Sequence, residues 1–232
     1  MEYTYEQIAK MIDHSLLRPT LTAEELEQGL ELAERYQTAS VCILPYYVRR
    51  AAERLAGSGV LTTTTVGFPH GGHTTAVKLA EARQAIQDGA VELDMVVNLS
   101  KVLSEDWSYV ANEIRAIVDL AHSHQAKVKV IFENCYLQDK HKIRLCEICG
   151  EAGADWVKTS TGFGSGGATL EDLRLMRQYS PAHVQVKAAG GIRDLDSLLA
   201  VRALGVTRVG ASQTAHILDE CRRRLALPPV AK

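Results

Sequence analysis

The 232-residue sequence lacks the features that mark membrane, secreted and nucleic-acid-binding chains. No apolar run approaches the length that crosses a bilayer, and the first residues contain neither the basic nor the apolar segment of a signal peptide. Lys and Arg total 26 against 28 Asp and Glu, so the net charge of −2 gives no electrostatic reason to bind nucleic acid or a membrane. We therefore expect a cytoplasmic protein with no membrane or nucleic-acid partner.

The sequence also lacks a disulfide pattern and a metal-site pattern. Its five cysteines are an odd number with irregular spacing, which favours reduced thiols. Cys146 and Cys149 have no second pair to complete a zinc set, so packing inside a helix is the simpler interpretation. Two histidine pairs lack the carboxylates that usually accompany them in a metal site, namely His70/His73 and His122/His124. The sequence thus predicts no metal.

Short apolar runs typical of strands alternate with amphipathic stretches along the whole chain. Eight predicted strands lie at Ile12–Leu16, Ser40–Leu44, Leu61–Val66, Val91–Val96, Val128–Phe132, Asp155–Lys158, Val184–Lys187 and Thr207–Gly210. Predicted helices lie at Ala23–Tyr36, Val48–Ala56, Thr75–Gln87, Trp107–His122, Gln138–Glu151, Leu170–Gln178 and Asp194–Leu204. Eight such units in this length favour an α/β fold, a single (β/α)8 TIM barrel over residues 1–232 with a short N-terminal helical extension, over a doubly wound sheet.

A weak internal repeat gives the register of three of these units. In each copy a glycine ends a helix and a short strand follows, in residues 88–94, 152–158 and 204–210. Five residues after each glycine stand Asp94, Lys158 and Gly210. Because side chains alternate across a strand, these positions are expected to share one face and one level.

Two lysines close apolar strand-like runs, which is a costly place for an isolated ammonium group. Lys158 and Lys187 would both end strands on the functional face of a barrel, together with Asp94. One interpretation is catalytic: a second cation lowers the pKa of Lys158, whose neutral amine attacks a carbonyl carbon while Asp94 moves protons. The alternative is a buried ion-pair network, and spacing alone leaves both open.

Glycine-containing turns follow the last strands of the predicted barrel. Gly190, Gly191, Gly210 and Ser212 fit the backbone phosphate site that barrels often carry after strands seven and eight. Each turn taken singly is more simply a plain strand-to-helix connection, and the coincidence of the turns with the last two strands leaves both interpretations open. The Gly-rich segment 163–167 follows Lys158 and is interpreted as a mobile rim over the substrate.

At these residues the chain resembles the deoxyribose-phosphate aldolase family, class I aldolases with a (β/α)8 fold. The segments that carry the resemblance are residues 12–19 (IDHSLLRP), 39–42 (ASVC), 65–69 (TVGFP), 92–98 (ELDMVVN), 157–164 (VKTSTGFG) and 186–193 (VKAAGGIR). The last two are highly specific together. The resemblance implies reversible cleavage of 2-deoxy-D-ribose 5-phosphate to glyceraldehyde 3-phosphate and acetaldehyde, with no metal or organic cofactor, in a chain that can be a homo-oligomer, either a dimer or a tetramer.

The resemblance also implies residue roles. Lys158 matches the Schiff-base lysine, Lys187 the second lysine that lowers its pKa and relays protons, and Asp94 the catalytic aspartate. The matching substrate-binding positions are Asp13, Cys42, Thr161, Gly162, Gly190, Gly191, Gly210 and Ser212. Cys42 is expected to be a small wall residue with an accessible thiol. Many relatives read Gly-Thr-Ser-Ser where this chain has 210–213 (GASQ), which removes two hydroxyls near the phosphate position.

Two other functions are compatible with the same residues. A transaldolase-like barrel would use the lysine on a ketose phosphate, and it would accept dihydroxyacetone phosphate but not acetaldehyde. A non-catalytic barrel would use the lysines only to hold a phosphosugar, and it would form no adduct that borohydride traps.

Overall fold

Eight parallel strands close into a barrel in the computed structural model, which describes residues 3–230. They are β1 (Ile12–Leu16), β2 (Ser40–Ile43), β3 (Leu61–Val66), β4 (Glu92–Val96), β5 (Lys127–Ile131), β6 (Trp156–Lys158), β7 (Gln185–Ala189) and β8 (Arg208–Ala211). Each strand pairs with the next, and β8 returns to β1 through the pair Asp13 and Gly210. The predicted (β/α)8 barrel is confirmed, with strand bounds that differ from the prediction by a residue or two.

Helices cover the outside of the barrel. They are α1 (Tyr5–Ala9), α2 (Ala23–Tyr36), α3 (Val48–Arg54), α4 (Thr75–Gln87), α5 (Leu99–Leu103), α6 (Trp107–Ser123), α7 (Asp139–Ala152), α8 (Leu170–Tyr179), α9 (Leu195–Arg202) and α10 (Thr214–Arg224), with 3₁₀ turns at Pro45–Tyr47 and Asn134–Tyr136. α1 is the expected N-terminal extension. The sequence-based prediction included neither α5 nor α10; α5 has only five residues, and no side chain caps the start of α10 at Gln213.

Helix starts and ends follow from local chemistry. Thr22, Thr169 and Asp194 accept hydrogen bonds from the backbone three residues on, as the best N-cap residues do. α7 ends at Gly153, which adopts the left-handed conformation (φ 76°) that glycine reaches without strain. The helix ends thus set the point at which each strand begins.

On β4, one face of the strand is apolar and the other carries charged side chains. On β4, Leu93 and Met95 belong to the apolar core, whereas Glu92 and Asp94 are buried without belonging to it. Alternation along the strand therefore turns the carboxylates toward the barrel axis. The barrel interior holds seven buried charged side chains, which are joined by ion pairs: Asp13, Glu92, Asp94, Lys129, Lys158, Lys187 and Arg208.

Among residues 3–230, no helix combines the length and the apolar character that a membrane crossing needs.

Candidate active site

A cavity of about 330 Å³ opens at the carboxyl ends of the strands. The residues that line it lie near the carboxyl ends of β1, β2, β6, β7 and β8 or in the loops after them, so the cavity is on the face where barrels carry their active sites. Ten of the eleven predicted site residues line it: Asp13, Cys42, Lys158, Thr161, Gly162, Lys187, Gly190, Gly191, Gly210 and Ser212. The eleventh, Asp94, lies behind the two lysines and is fully buried.

Asp94 joins the two lysines that the sequence singled out. Its Oδ2 accepts a hydrogen bond from Lys158 Nζ at 2.7 Å and another from Lys187 Nζ at 2.7 Å. Its Oδ1 accepts a third from Lys129 Nζ at 2.8 Å. The three predicted catalytic side chains, from β4, β6 and β7, therefore meet through one carboxylate oxygen.

Asp13 fixes the second lysine from the opposite side. Its Oδ2 accepts from Lys187 Nζ at 2.5 Å, and its Oδ1 accepts from Ser40 Oγ at 2.7 Å and Arg208 Nη1 at 2.6 Å. Lys187 thus lies between two ionised carboxylates, while Lys158 bonds only to Asp94 among the described residues.

The surroundings separate the pKa values of the two lysines. Burial lowers the pKa of Lys158, the Lys187 ammonium group lowers it further, and Asp94 opposes both without reversing the shift. Burial also disfavours the charged form of Lys187, but Asp13 and Asp94 outweigh it, so the pKa of Lys187 is raised. The site therefore pairs an amine that loses its proton readily with an ammonium group that retains its own.

Asp94 is held in its ionised form. Burial disfavours the charge, but Lys129, Lys158 and Lys187 outweigh that effect and keep the pKa of Asp94 well below its usual range. A carboxylate with three cationic donors is a weak base on its own. Its basicity rises when one of the neighbouring positive charges is lost.

Two buried cations of the site were missed in the sequence. Lys129 contacts Asp94 and also Glu92, at 2.5 Å, and Arg208 donates to Asp13 and Glu92. Lys129 is the middle residue of the alternating run KVKVI, which is typical of a half-exposed strand. The signal that points to it is its register: Lys129 pairs with Trp156, two residues before Lys158, and so shares the inward face.

Burial changes the expectation for Cys42. The side chain lines the cavity but is only 2% exposed. The expectation of an accessible thiol was therefore wrong. Burial raises its pKa to about 11, which keeps it a thiol rather than a thiolate.

Cys146 and Cys149 are buried as predicted. His122 pairs with Asp155 at 2.9 Å.

A second carboxylate shapes the loop that follows Lys158. Glu133 accepts from the backbone N–H and the hydroxyl of Thr161, and the Thr161 hydroxyl accepts from the N–H of Phe163. Phe163 packs edge-on against Phe68, with ring centroids 5.4 Å apart, and lines the cavity. The loop is therefore tied to β5 through Glu133, and whether segment 163–167 moves stays a prediction.

The part of the cavity formed by the loops after β7 and β8 is built from backbone and positive charge. Gly190 and Gly191 have φ of 80° and 91°, which side-chain-bearing residues rarely adopt. Within residues 3–230, the N–H groups of Gly191 and Ser212 have no acceptor. Ser212 lies just before α10, and Arg18 and Arg193 also line this cavity. Free N–H groups, a helix N-terminus and guanidinium groups together suit an anion.

A barrel whose catalytic face holds a buried lysine–aspartate–lysine set is typical of aldolases that act through a lysine imine.

Residues 7–212 match the model of the DeoC/LacD family aldolases. Deoxyribose-phosphate aldolase from Rhodopirellula baltica is 64% identical over 99% of this chain and 95% of its own length. The enzyme of the same name from Caldanaerobacter subterraneus is 47% identical over 96% of this chain and 97% of its own. The tetrameric deoxyribose phosphate aldolase structure from Aeropyrum pernix superposes with a TM-score of 0.88 at 33% identity, covering 96% of this chain and 93% of that one. The chain belongs to the DeoC/LacD aldolase family.

Proposed function

We propose that this aldolase reversibly cleaves 2-deoxy-D-ribose 5-phosphate to D-glyceraldehyde 3-phosphate and acetaldehyde through an iminium on Lys158. The observation that carries the proposal is the contact between the lowered-pKa amine of Lys158 and an ionised Asp94 at the floor of a sugar-sized cavity. The two relatives named above, which are aligned over almost the whole chain, carry the same activity in their names.

The reaction begins when the neutral amine of Lys158 attacks C1 of the open-chain aldehyde. Loss of water from the carbinolamine gives the iminium, which acts as an electron sink. Removal of the proton from the C3 hydroxyl breaks the C2–C3 bond, and the electron pair of that bond moves into an enamine on Lys158. Glyceraldehyde 3-phosphate leaves, the enamine carbon takes up a proton, and hydrolysis of the second iminium releases acetaldehyde and the free amine.

Asp94 and Lys187 are the proposed proton carriers for these steps. Asp94 Oδ2 touches both lysines, so Lys187 can accept through this oxygen the proton that Lys158 releases once Lys187 has given one of its own to the departing hydroxyl of the carbinolamine. Asp13 compensates the charge of Lys187 throughout. This arrangement supports catalysis over the alternative of a purely structural ion-pair network, because such a network does not need a lysine of lowered pKa at the wall of a cavity.

The phosphate of the substrate is proposed to bind at the loops that follow β7 and β8. The free N–H groups of Gly191 and Ser212 and the N-terminus of α10 would hold it, together with Gly162, Gly190 and Gly210. Asp13, Cys42 and Thr161 are proposed to line the sugar. Because backbone N–H groups supply most of the bonds, Ala211 and Gln213 are compatible with phosphate binding.

Trapping with borohydride tests the proposal. Acetaldehyde and borohydride are expected to add one reduced two-carbon unit to Lys158, which peptide mass spectrometry locates, and Lys158→Met should take up none. A site that only binds phosphosugars would give no adduct. Cleavage assays with 2-deoxyribose 5-phosphate and with a ketose phosphate distinguish the proposed reaction from a transaldolase-like one.

The organisation of the protein is proposed by analogy. We expect a homo-oligomer, a dimer or a tetramer, because the Aeropyrum pernix relative is described as tetrameric. We also propose that residues 1–232 form one domain and that the protein is cytoplasmic. Light scattering on the purified protein measures the oligomeric state, and a single unfolding transition would support one domain.

A further inference from the structure

Arg208 lies at the base of the charged cluster and spans the barrel. Its guanidinium group makes a two-point contact with Glu92, at 3.0 Å and 3.1 Å, and a further bond to Asp13 at 2.6 Å. It also lies over the ring of Trp156, 5.0 Å from the centroid. Because β8 and β4 are four strands apart in the eight-strand ring, this one side chain connects opposite walls.

The contact with Asp13 decides which carboxylate oxygen is available to the active site. Asp13 Oδ1 is occupied by Arg208 and Ser40, and Oδ2 is left to face Lys187. Arg208 also helps keep the pKa of Asp13 lowered against the effect of burial, although Lys187 and Lys129 contribute more. A forked guanidinium binds both oxygens of one carboxylate while it bonds a second carboxylate, a fixed geometry that the point charge of a lysine does not impose.

The charges of the cluster balance only when one lysine is neutral. The charged and titratable groups that act on Lys158 directly are Asp94 on β4, Lys187 on β7 and Cys42 on β2. Lys129 on β5 bonds to Asp94 and Asp13 on β1 bonds to Lys187, with Glu92 and Arg208 one contact further away. The cluster holds three carboxylates and four cationic side chains. If Lys158 loses its proton, three charges of each sign remain. Without Arg208, the same state would carry an excess negative charge in a buried site, which favours a proton on Lys158.

We propose that Arg208 is a positioning residue of the aldolase reaction. It orients Asp13 toward Lys187 and supplies the charge that allows Lys158 to stay neutral. The inference rests on the proposed role of Lys158 as the imine-forming residue. This positioning role distinguishes Arg208 from an arginine that only stabilises the core. Loss of such an arginine would affect folding but not the protonation of Lys158.

The pH dependence of adduct formation at Lys158 provides the test. Acetaldehyde and borohydride are applied across a pH series, and the midpoint of labelling at Lys158 is measured by mass spectrometry. Arg208→Met is expected to raise the midpoint by about one pH unit. Glu92→Gln, which removes a charge of the opposite sign, is expected to lower it, and the double variant should return toward the unmodified protein. Arg208→Lys should keep the midpoint of labelling at Lys158 but lose turnover of 2-deoxyribose 5-phosphate. Lysine keeps the positive charge but cannot make the two-point contact with Glu92 while it bonds Asp13.

Arg177→Met is the matched control. Arg177 is also partly buried, but it donates only to the backbone carbonyls of Ser180, Pro181 and Val184 among the described residues, so its loss should leave the midpoint unchanged. An unmoved midpoint in Arg208→Met overturns the inference. If that variant does not fold, an unmoved midpoint in Glu92→Gln overturns it equally. Absence of any adduct at Lys158 in the unmodified protein would instead reject the proposed function.

Discussion

Lys158 Nζ lies 2.7 Å from Asp94 Oδ2, and this contact joins the amine with the lowered pKa to a carboxylate whose pKa is held well below its usual range. The contact alone would raise the pKa of Lys158, because an opposite charge favours the protonated form. Burial and the neighbouring ammonium group of Lys187 reverse that tendency. Reactivity at Lys158 therefore depends on groups that do not bond to it.

Removal of the charge at Lys187 should make Lys158 harder to deprotonate. Lys187 lowers the pKa of Lys158, so Lys187→Met is expected to raise that pKa by about one unit or more. An amine reacts only when neutral, so the midpoint of adduct formation should move to higher pH and the rate at neutral pH should fall. The pH series with acetaldehyde and borohydride measures this shift. A midpoint that stays in place would remove Lys187 from the role of cationic neighbour.

Asp94→Asn should separate proton transfer from formation of the carbon–nitrogen bond. The amide keeps the shape of the side chain but cannot carry a proton between Lys158 and Lys187. We expect turnover of 2-deoxyribose 5-phosphate to fall by about 10²–10⁴-fold. Loss of the anion also lowers the pKa of Lys158, so labelling by acetaldehyde and borohydride should persist and move to lower pH. Turnover within a few-fold of the unmodified protein would exclude Asp94 as the proton carrier.

Gly191→Ala should weaken recognition of the phosphate group. Gly191 has φ 91° and open space where a Cβ would lie, so the substitution strains the backbone without a clash. Strain of about 1–2 kcal/mol is expected to rotate the N–H group away from the phosphate. The kcat/KM for 2-deoxyribose 5-phosphate should fall about 10-fold, with little change for 2-deoxyribose. Gly57→Ala is the matched control, because Gly57 has φ 76°, equally open space and no place in the cavity. Equal losses on both sugars would argue against a phosphate site there.

The sequence predicted the parts of the site that end strands. Lys158 and Lys187 stand at the boundary between an apolar run and a glycine turn, where charge is conspicuous, and the repeat placed Asp94 at the same level. Lys129 lies inside an alternating strand and resembles an exposed residue, as its neighbour Lys127 in fact is. Pairing of β4 with β5 brings Lys129 against Glu92, and closure of the barrel brings Arg208 against Asp13 and Glu92; such long-range contacts leave no local signal in the sequence.

A buried ion pair outside the barrel gives a further prediction, on stability. Lys78 on α4 and Glu113 on α6 are both fully buried, with Nζ and Oε2 2.9 Å apart. Lys78 also donates to the carbonyl of Val96, and Glu113 accepts from the N–H of Asn98, so the pair holds the chain that leaves β4 just beyond Asp94. Burial lowers the pKa of Lys78 and raises that of Glu113, so each depends on its partner to stay charged.

Loss of one partner from this pair should therefore cost more than loss of both. Lys78→Met or Glu113→Gln alone leaves an uncompensated buried group and is expected to reduce the free energy of unfolding by about 3–5 kcal/mol. The double variant should be more stable than either single variant, as measured by urea unfolding and a double-mutant cycle. Arg50→Met, which breaks the exposed pair between Arg50 and Glu27, should change stability little. Additive losses in the cycle would mean that the two side chains act independently, and that burial rather than pairing sets their contribution.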